Sequence, residues 1–243
     1  MTDVTSPEAV PEIAVSVVRS APRAAEAIGL AVGSSGRVPR QLGLSRAALD
    51  AHGFGGKVGQ TLVVPAADGA TLIAVGVGDE PGPKQLRDAS AAFVRAAGKR
   101  SHLATNLLEA FTGSSGAASD AAQAVVEGAL LANYRYLGRK TDRSSASKLE
   151  TLSLIVAADH ERAATKGAER AVVTSRAANM ARDFANAPAN LLTARDFAAR
   201  ATELASECGL DVEVFGKAEL AVMGCGGVIG VNAGSVEPPR VVK

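Results

Sequence analysis

The sequence predicts an α/β fold with a largely parallel sheet covered by helices. Short apolar runs alternate along the chain with stretches in which apolar residues recur at helical spacing. Runs that are apolar on both faces are typical of strands in a covered sheet. Strands that alternate with helices indicate an α/β layer architecture. A chain of 243 residues is long enough to bury such a core without disulfides or metals.

Four apolar runs are the predicted strands of the first part of the chain. They are Ile13–Val18, Thr61–Val64, Thr71–Val77 and Thr151–Ala157. Two helices are predicted between the later strands. The apolar stripe of the first helix consists of Leu86, Ala89, Phe93 and Ala96, and that of the second consists of Ala118, Ala122, Val125 and Ala129. Steps of three and four residues place each stripe on one helix face.

A long helix is predicted from about Asp159 to Phe184. Its apolar residues recur at helical spacing at Val173, Ala177, Met180 and Phe184. We expect it to end near Asn186-Ala-Pro188, because the residue before a proline avoids the helical region. Such a helix would be roughly 40 Å long, which suits a connector between domains. The expected domains are therefore 1–158, a connecting helix over 159–186, and 187–243 as the beginning of a second domain.

The second domain is predicted to open with another helix. Thr193 and Asp196 are spaced as a capping box, with Asp in place of Glu or Gln. The apolar stripe that follows is Phe197, Ala201, Leu204 and Cys208, which places Cys208 in the core, and Gly209 is the expected helix stop. The later patterns predict a half-buried strand over 210–215, a turn or close backbone approach over 224–227, and the start of a strand over 240–243.

The composition excludes several classes of function. Lys and Arg total 26 against 25 Asp and Glu, and a net charge of +1 leaves no electrostatic footprint for nucleic acid or an anionic membrane. No apolar run is long enough to span a membrane, and the N-terminus lacks the apolar region of a secretory signal. Two cysteines are too few for a disulfide framework. We therefore expect a soluble, cytoplasmic protein without membrane partners.

The glycine-rich stretches do not match a catalytic motif. The Gly-Ser-Ser-Gly stretches at 33–36 and 113–116 lack the spacing of a nucleophile elbow and are interpreted as loops. Gly56-Lys57 is not followed by the Ser or Thr of a phosphate-binding loop. Gly76-Val-Gly78 follows a strand, but Pro81 stands where a dinucleotide motif needs glycine. It is interpreted as a strand-end turn, with a ligand-binding loop at the carboxyl end of the sheet as the alternative.

The titratable residues suggest no metal or catalytic cluster. The three histidines have no partners at helical spacing and are His52, His102 and His160. Cys208 and Cys225 do not form a C-x-x-C pair; Cys225, among glycines, is interpreted as a packing residue and Lys243 as a solvated one. We assign no catalytic, metal-binding or cofactor-binding residue to the chain.

Three segments nevertheless resemble a known family. They are 127–136 with Lys140, 179–193 and 223–239. The middle segment is the most specific, with an Arg-Asp pair followed by Asn-x-Pro-x-Asn-x-x-Thr directly after a long helix. In this order and spacing they resemble the leucyl aminopeptidase family of cytosolic two-metal exopeptidases, from about residue 60 onward and more weakly before it.

The resemblance implies both a layout and an activity. Members have a macro-domain-like N-terminal α/β domain, a connecting helix and a catalytic α/β domain, and they assemble as homo-hexamers. They remove N-terminal residues, preferentially leucine, from peptide substrates. Two divalent ions, manganese, zinc or magnesium, bridge an activated water; one ion polarises the carbonyl while both lower the pKa of the water.

The sequence departs from the family in its chemistry. The family's metal ligands and catalytic Lys and Arg lie in segments of the type Gly-Lys-Gly-x-x-Phe-Asp-x-Gly-Gly and Asn-Thr-Asp-Ala-Glu-Gly-Arg, and neither segment occurs here. Lys243 lies too soon after Pro238-Pro239 to be the family's metal-binding lysine. The resemblance therefore carries over no catalytic or metal residue.

The residues that the resemblance does carry over are structural. Three of them are expected to shape the entry to the catalytic domain, namely Asn186, Pro188 and Asn190. Three others are expected to pack the interdomain side of the N-terminal domain, namely Glu127, Tyr134 and Lys140.

Two classes of function remain open from the sequence. The first is the N-terminal half of a leucyl aminopeptidase of intracellular protein turnover, with the 243-residue chain inactive by itself. The alternative is a binding module, in which a macro-like domain holds ADP-ribose or a related nucleotide and Gly76-Val-Gly78 belongs to the phosphate loop. DNA binding is a weaker form of that alternative, because the net charge of +1 argues against it.

We expect segment 190–243 to expose strand edge and apolar surface, because a sheet that starts at Arg240 would lack neighbouring strands. Amide hydrogen exchange of the chain should therefore be fast over 190–243 and slow in the core of 1–185. Uniform protection from exchange through residue 240 would contradict this expectation.

Overall fold

The computed structural model describes residues 13–66, 69–114, 117–138 and 140–243. These residues form two compact units, one ending at Ala181 and the other comprising Arg182–Lys243. The strands are β1 Ala14–Val18, β2 Ala27–Val32, β3 Thr61–Val64, β4 Thr71–Gly76, β5 His102–Thr105, β6 Thr151–Ile155, β7 Val214–Phe215 and β8 Val241–Val242. The α-helices are α1 Arg46–Ala51, α2 Pro83–Ala97, α3 Ala118–Asn133, α4 Glu161–Asn186, α5 Ala194–Cys208, α6 Lys217–Val222 and α7 Gly226–Asn232.

The sheet of the first unit confirms the predicted α/β fold. Its strand order is β1-β6-β5-β2-β4-β3, with β3 antiparallel to β4 and the other neighbours parallel. The four predicted strands are β1, β3, β4 and β6. Strands β2 and β5 were not predicted from the sequence. β5 has four residues, with His102 and Thr105 at its ends, and so short a run gives no clear period.

The two faces of the sheet are covered differently. The larger core lies between one face and helices α2, α3 and α4, and Phe93 is its largest fully buried side chain. The other face, over β2 and β4, is covered by residues of segment 38–54, including Leu42, Leu49 and Phe54. The helical layer is therefore concentrated on one side, and this side carries the residues of interest below.

Two glycines let helix backbones approach closely in that layer. A Cβ atom on Gly128 of α3 would lie 2.2 Å from the backbone oxygen of Arg87 in α2. A Cβ atom on Gly167 of α4 would lie 2.2 Å from the backbone oxygen of Ser119 in α3. Both distances are far below van der Waals contact, so each helix pair requires glycine at its point of closest approach.

The buried face of α4 differs from the predicted stripe. Within the first unit α4 buries Ala164, Gly167, Ala168, Ala171 and Ser175, whereas Val173 is 69% exposed. Small residues face inward because they allow the close approach of α3, and the larger apolar side chains are displaced from that interface. The predicted helix itself is confirmed, since α4 ends at Asn186, two residues before Pro188.

The second unit begins with helix α5, whose ends follow the predicted signals. The Thr193 side chain accepts a hydrogen bond from the Asp196 N–H, and the Asp196 carboxylate accepts one from the Thr193 N–H in return. Gly209 ends the helix in the left-handed region at φ +66°. The rings of Phe184 and Phe197 meet edge to face with centroids 5.5 Å apart. The capping box and the helix stop are thereby confirmed.

Two predictions for this unit are wrong. Cys208 is exposed rather than in the core, because α5 turns Ala198 and Ala205 inward and leaves Phe197 46% exposed. The predicted strand over 210–215 is reduced to the two residues of β7, which pair with β8, and Leu210 is 66% exposed. The short pairing partner limits β7, because only two residues of β8 lie opposite it.

The remaining second-unit predictions concern the glycines and the C-terminal strand. Gly224 has a φ of +73°, so the predicted turn is confirmed there. The predicted strand start over 240–243 is confirmed as β8. Helix α7, which follows Cys225, was missed because three of its seven residues are glycine, the poorest helix former after proline. The domain limits of 1–158, 159–186 and 187–243 stay predictions.

Gly128→Ala should destabilise the first unit by about 1–3 kcal/mol, because the added methyl group meets the α2 backbone rather than a flexible side chain. Urea denaturation measures the effect. The matched control is Gly55→Ala, where the added Cβ meets nothing nearer than 3.8 Å. Equal stability of the two variants would show that α2 and α3 do not need this close approach.

Candidate functional site

The first of the segments that resemble the family begins at Glu127, whose side chain contacts residues of three helices. Its Oε2 accepts hydrogen bonds from Arg87 on α2, at 2.6 Å from Nη2 and 3.0 Å from Nε. Its Oε1 accepts from Gln123 Nε2 on α3 at 2.7 Å and from Thr174 Oγ1 on α4 at 2.8 Å. We call Arg87, Gln123, Glu127 and Thr174 the helix junction. The junction satisfies both carboxylate oxygens with partners from every helix of the layer.

The environment of Glu127 keeps it ionised. Its side chain is 12% exposed, and this burial by itself would raise the pKa of the carboxyl. The hydrogen bonds from Gln123, Arg87 and Thr174, together with the charge of Arg87, outweigh burial and lower the pKa of Glu127 below its usual value. A carboxylate buried with this many donors is stable as an anion, and loss of one donor leaves the charge undercompensated.

A second set of contacts extends the junction toward solvent. Arg170 Nη1 on α4 lies 3.3 Å from Asp120 Oδ1 and 3.2 Å from Gln123 Oε1, both on α3. Gln123 therefore donates to Glu127 and accepts from Arg170, which fixes the orientation of its amide. These side chains are exposed, so they contribute less than the buried contacts of Glu127.

Glu127 could be identified from the sequence, but its partners could not. Arg87 and Thr174 lie 40 and 47 residues away along the chain, and such distant contacts leave no periodic signal. One local signal was present: Gln123 and Glu127 are four residues apart on a helix that is otherwise rich in alanine. A charged residue in so apolar a stretch indicates a buried partner.

The other residues taken from the resemblance are spread over both units. Tyr134 directly follows α3 and is half-buried, and Lys140 is exposed in the loop beyond it. Asn186 is the last residue of α4. The carbonyl oxygen of Pro188 accepts hydrogen bonds from the N–H groups of Leu191 and Leu192, in a turn that also contains Asn190. Their expected interdomain roles stay predictions.

Backbone contacts occupy the chain at the carboxyl end of β4. The N–H of Gly76 donates to Gln60 O, that of Val77 to Val32 O and that of Gly78 to Gly56 O. A Cβ atom on Gly56 would lie 2.2 Å from Gly33 O. The amides of Gly76, Val77 and Gly78 are therefore already bonded within the protein. This geometry favours the strand-end turn over a phosphate-binding loop.

Metal-ligating side chains are not gathered in the parts of the chain that the structure describes, where no group of three His, Cys, Asp or Glu is placed to hold an ion. His102 Nδ1 lies 3.0 Å from Thr151 Oγ1, within the sheet. Cys225 is half-buried at the start of α7, and the exposed Lys243 Nζ lies 3.0 Å from Glu213 Oε2. Both positions fit the structural interpretation of these residues.

None of the helices within the described ranges is both long enough and apolar enough to cross a membrane. The longest, α4, carries charged residues along its exposed side, including Arg162, Lys166 and Glu169.

Two family profiles match this chain in sequence order. The profile of the cytosol aminopeptidase family, N-terminal domain, matches residues 35–143. The profile of the cytosol aminopeptidase family, catalytic domain, matches residues 179–243. The two matches include all three segments that carry the resemblance, and they place Glu127 of the helix junction in the N-terminal domain.

Curated relatives extend well beyond the length of this chain. The probable cytosol aminopeptidase of Streptomyces avermitilis is 33% identical over 245 residues, which cover 95% of this chain and 47% of the relative. The probable cytosol aminopeptidase of Mycobacterium tuberculosis is 36% identical over 202 residues, which cover 81% of this chain and 37% of the relative. The chain thus spans about half the length of the curated relatives it matches, or less.

Solved structures share the fold. The bottromycin maturation enzyme BotP in complex with Mn matches with a TM-score of 0.72 and 33% identity, over 90% of this chain and 44% of that one. A variant of tomato leucine aminopeptidase matches with a TM-score of 0.84 over 98% of this chain and 51% of that one. At 21% identity, the second likeness shows the fold alone.

Glu127→Gln should lower the free energy of unfolding of the first unit by about 1–2 kcal/mol at neutral pH, because hydrogen bonds to a charged group are the stronger ones. Because the pKa of Glu127 is lowered in the folded protein, its charged form stabilises the fold at pH values above the ordinary pKa of 4.5. This contribution is lost as the pH falls through the lowered folded-state value. Urea denaturation of both proteins should therefore show a difference that narrows in acid.

The control for this variant is Asp88→Asn, which removes the exposed pair with Lys84 on α2. An exposed pair contributes at most about 0.5 kcal/mol, so this variant should remain close to the parent protein. A Glu127→Gln variant that is no less stable than Asp88→Asn would show that the junction does not hold the helices.

Proposed function

Because this chain belongs to the cytosol aminopeptidase family, we propose that it is the N-terminal half of a leucyl aminopeptidase. The whole enzyme would hydrolyse unsubstituted N-terminal residues, leucine-like ones preferred, from peptides. The observation that carries the proposal is the match to both family domains in order, 35–143 and 179–243. Helix α4 begins between the two matches and ends inside the second.

The reaction would use two divalent ions, manganese, zinc or magnesium. Divalent ions would suit peptide hydrolysis because a bound ion can polarise a carbonyl and lower the pKa of a bound water. BotP, a structure 33% identical to this chain, is described as a complex with manganese. The residues that the structure describes do not offer a ligand set for such ions, so we assign no step of the reaction to this chain.

The contribution of this chain would be structural. Residues 1–158 would form the macro-like domain, 159–186 the connecting helix and 187–243 the beginning of the catalytic domain. Within the first unit, Thr174 bonds the N-terminal part of α4 to the Glu127 carboxylate, so the proposed connecting helix would start from the helical layer. In the next part of the chain, the capping box at Thr193 fixes where α5 begins.

The proposed assembly and location rest on the resemblance to the family. We propose a homo-hexamer of the complete protein, acting on peptides in the cytoplasm during intracellular protein turnover. Support for the location comes from the relatives of Streptomyces avermitilis and Mycobacterium tuberculosis, both named as probable cytosol aminopeptidases.

The purified 243-residue chain should not cleave leucine p-nitroanilide in the presence of manganese, because the family's two metal-binding segments do not occur in its sequence. The positive control is the complete Streptomyces avermitilis relative under the same conditions. Circular dichroism on the same sample checks that the helices are folded. Manganese-dependent release of nitroaniline by the folded chain, abolished by a chelator, would contradict the inactivity of the chain alone.

A further inference from the structure

Strand β1 forms one edge of the sheet in the first unit. β1 stands at the end of the strand order, and none of the described strands pairs with its outer side. On the inner side, Ala14 N–H donates to Glu150 O and Val18 O accepts from Val156 N–H, each at 2.9 Å. Because backbone groups alternate in direction along a strand, those of Val15 and Val17 point away from β6. The edge thus presents unpaired donors and acceptors to an incoming strand.

A groove of about 540 Å³ follows this edge between β1 and α4. On the strand side it is lined by Ile13, Val15 and Val17, which share one face and pack against the main core. On the helix side Ala168 is buried and Val172 half-buried. The groove therefore adds an apolar wall beside the free backbone groups.

The exposed rim of the groove carries a negative charge. Glu169 lines it one turn beyond Thr165 on α4. Among the described residues no hydrogen bond or ion pair to Glu169 is found, whereas the neighbouring Arg170 is bound to Asp120. A carboxylate without a partner beside an apolar groove is complementary to a ligand that combines apolar and basic groups.

We propose that β1 and this groove form a docking site for an extended peptide with an apolar and a basic side chain on one face. Backbone hydrogen bonds to Val15 and Val17 would add the peptide to the sheet as a further strand, and side chains at alternate positions would give selectivity. Residues two apart in a strand lie on the same face, roughly 7 Å from each other. One could therefore pack on Val172 while the next reaches Glu169. The proposal does not rest on the hydrolytic function.

A second copy of this chain fits the edge less well. Its β1 would bring Ile13, Val15 and Val17 to the groove, none of which can neutralise Glu169. Its Arg19 is already paired with Glu161, 2.9 Å away and with two hydrogen bonds. Charge complementarity therefore favours a separate basic peptide over self-association.

The test uses the capped peptide acetyl-Ser-Val-Ser-Lys-Ser-Val-Ser-amide and the full chain labelled with ¹⁵N. We expect the amide signals of Val15 and Val17 to shift progressively at millimolar peptide. The same peptide N-methylated at its five central residues should cause no shifts, because those residues can no longer donate backbone hydrogen bonds to the edge of β1. Absence of shifts with the first peptide, or equal shifts with the second, would overturn the proposal.

A charge reversal on the protein tests the role of Glu169. Glu169→Lys should weaken binding of the Lys peptide about threefold and strengthen binding of a matching Glu peptide by a similar factor. The control Glu207→Lys, which makes the same change at an exposed position on α5, should leave both affinities unchanged. Unchanged preference in Glu169→Lys would overturn the assignment. Concentration-dependent shifts of Val15 and Val17 without peptide would overturn it in favour of a second copy as the occupant.

Discussion

The Glu127 carboxylate is the contact on which the helical layer of the first unit depends. It is largely removed from water, and this costs free energy unless strong donors compensate it. Donors from α2, α3 and α4 do so at 2.6–2.8 Å. Since the three helices must keep their relative register for these bonds to form together, one side chain specifies the arrangement of the whole layer. The segment that begins at Glu127 and resembles the family thus has a structural role in the helical layer.

Close backbone packing makes that arrangement possible. The chain has few aromatic residues, 3% of the total, and fills its core with alanine, valine and leucine. Glycines at the points of closest approach bring the helices near enough for the Glu127 contacts. The same principle acts between helix and sheet, where the ring of Phe93 lies over Gly29 and a Cβ atom there would be 2.7 Å from it. Small residues and a partly buried ion pair therefore stabilise the layer together.

Local signals in the sequence were sufficient to predict much of the fold. Strand β4, the capping box at Thr193 and the stop at Gly209 depend on neighbouring residues, and their patterns could be recognised. The pairing of Glu127 with Arg87 could not, because contacts between distant residues have no period. The inward face of α4 also escaped prediction, because hydrophobicity favours Val173 while close packing favours glycine and alanine. One residue of the candidate site, Glu127, could thus be identified from the sequence. The geometry of the site could be seen only in the tertiary structure.

Helix α4 connects the architecture of the first unit to the family's catalytic domain in the proposed function. The contacts of Glu127 would hold α4 against α2 and α3. The match to the catalytic domain begins seven residues before α4 ends. The central claim is that the chain is the front part of a larger aminopeptidase. An immunoblot of the source cell, with an antibody raised against this chain, tests this claim most directly. The account predicts a band at about twice 24.5 kDa, and a single band at 24.5 kDa would contradict it.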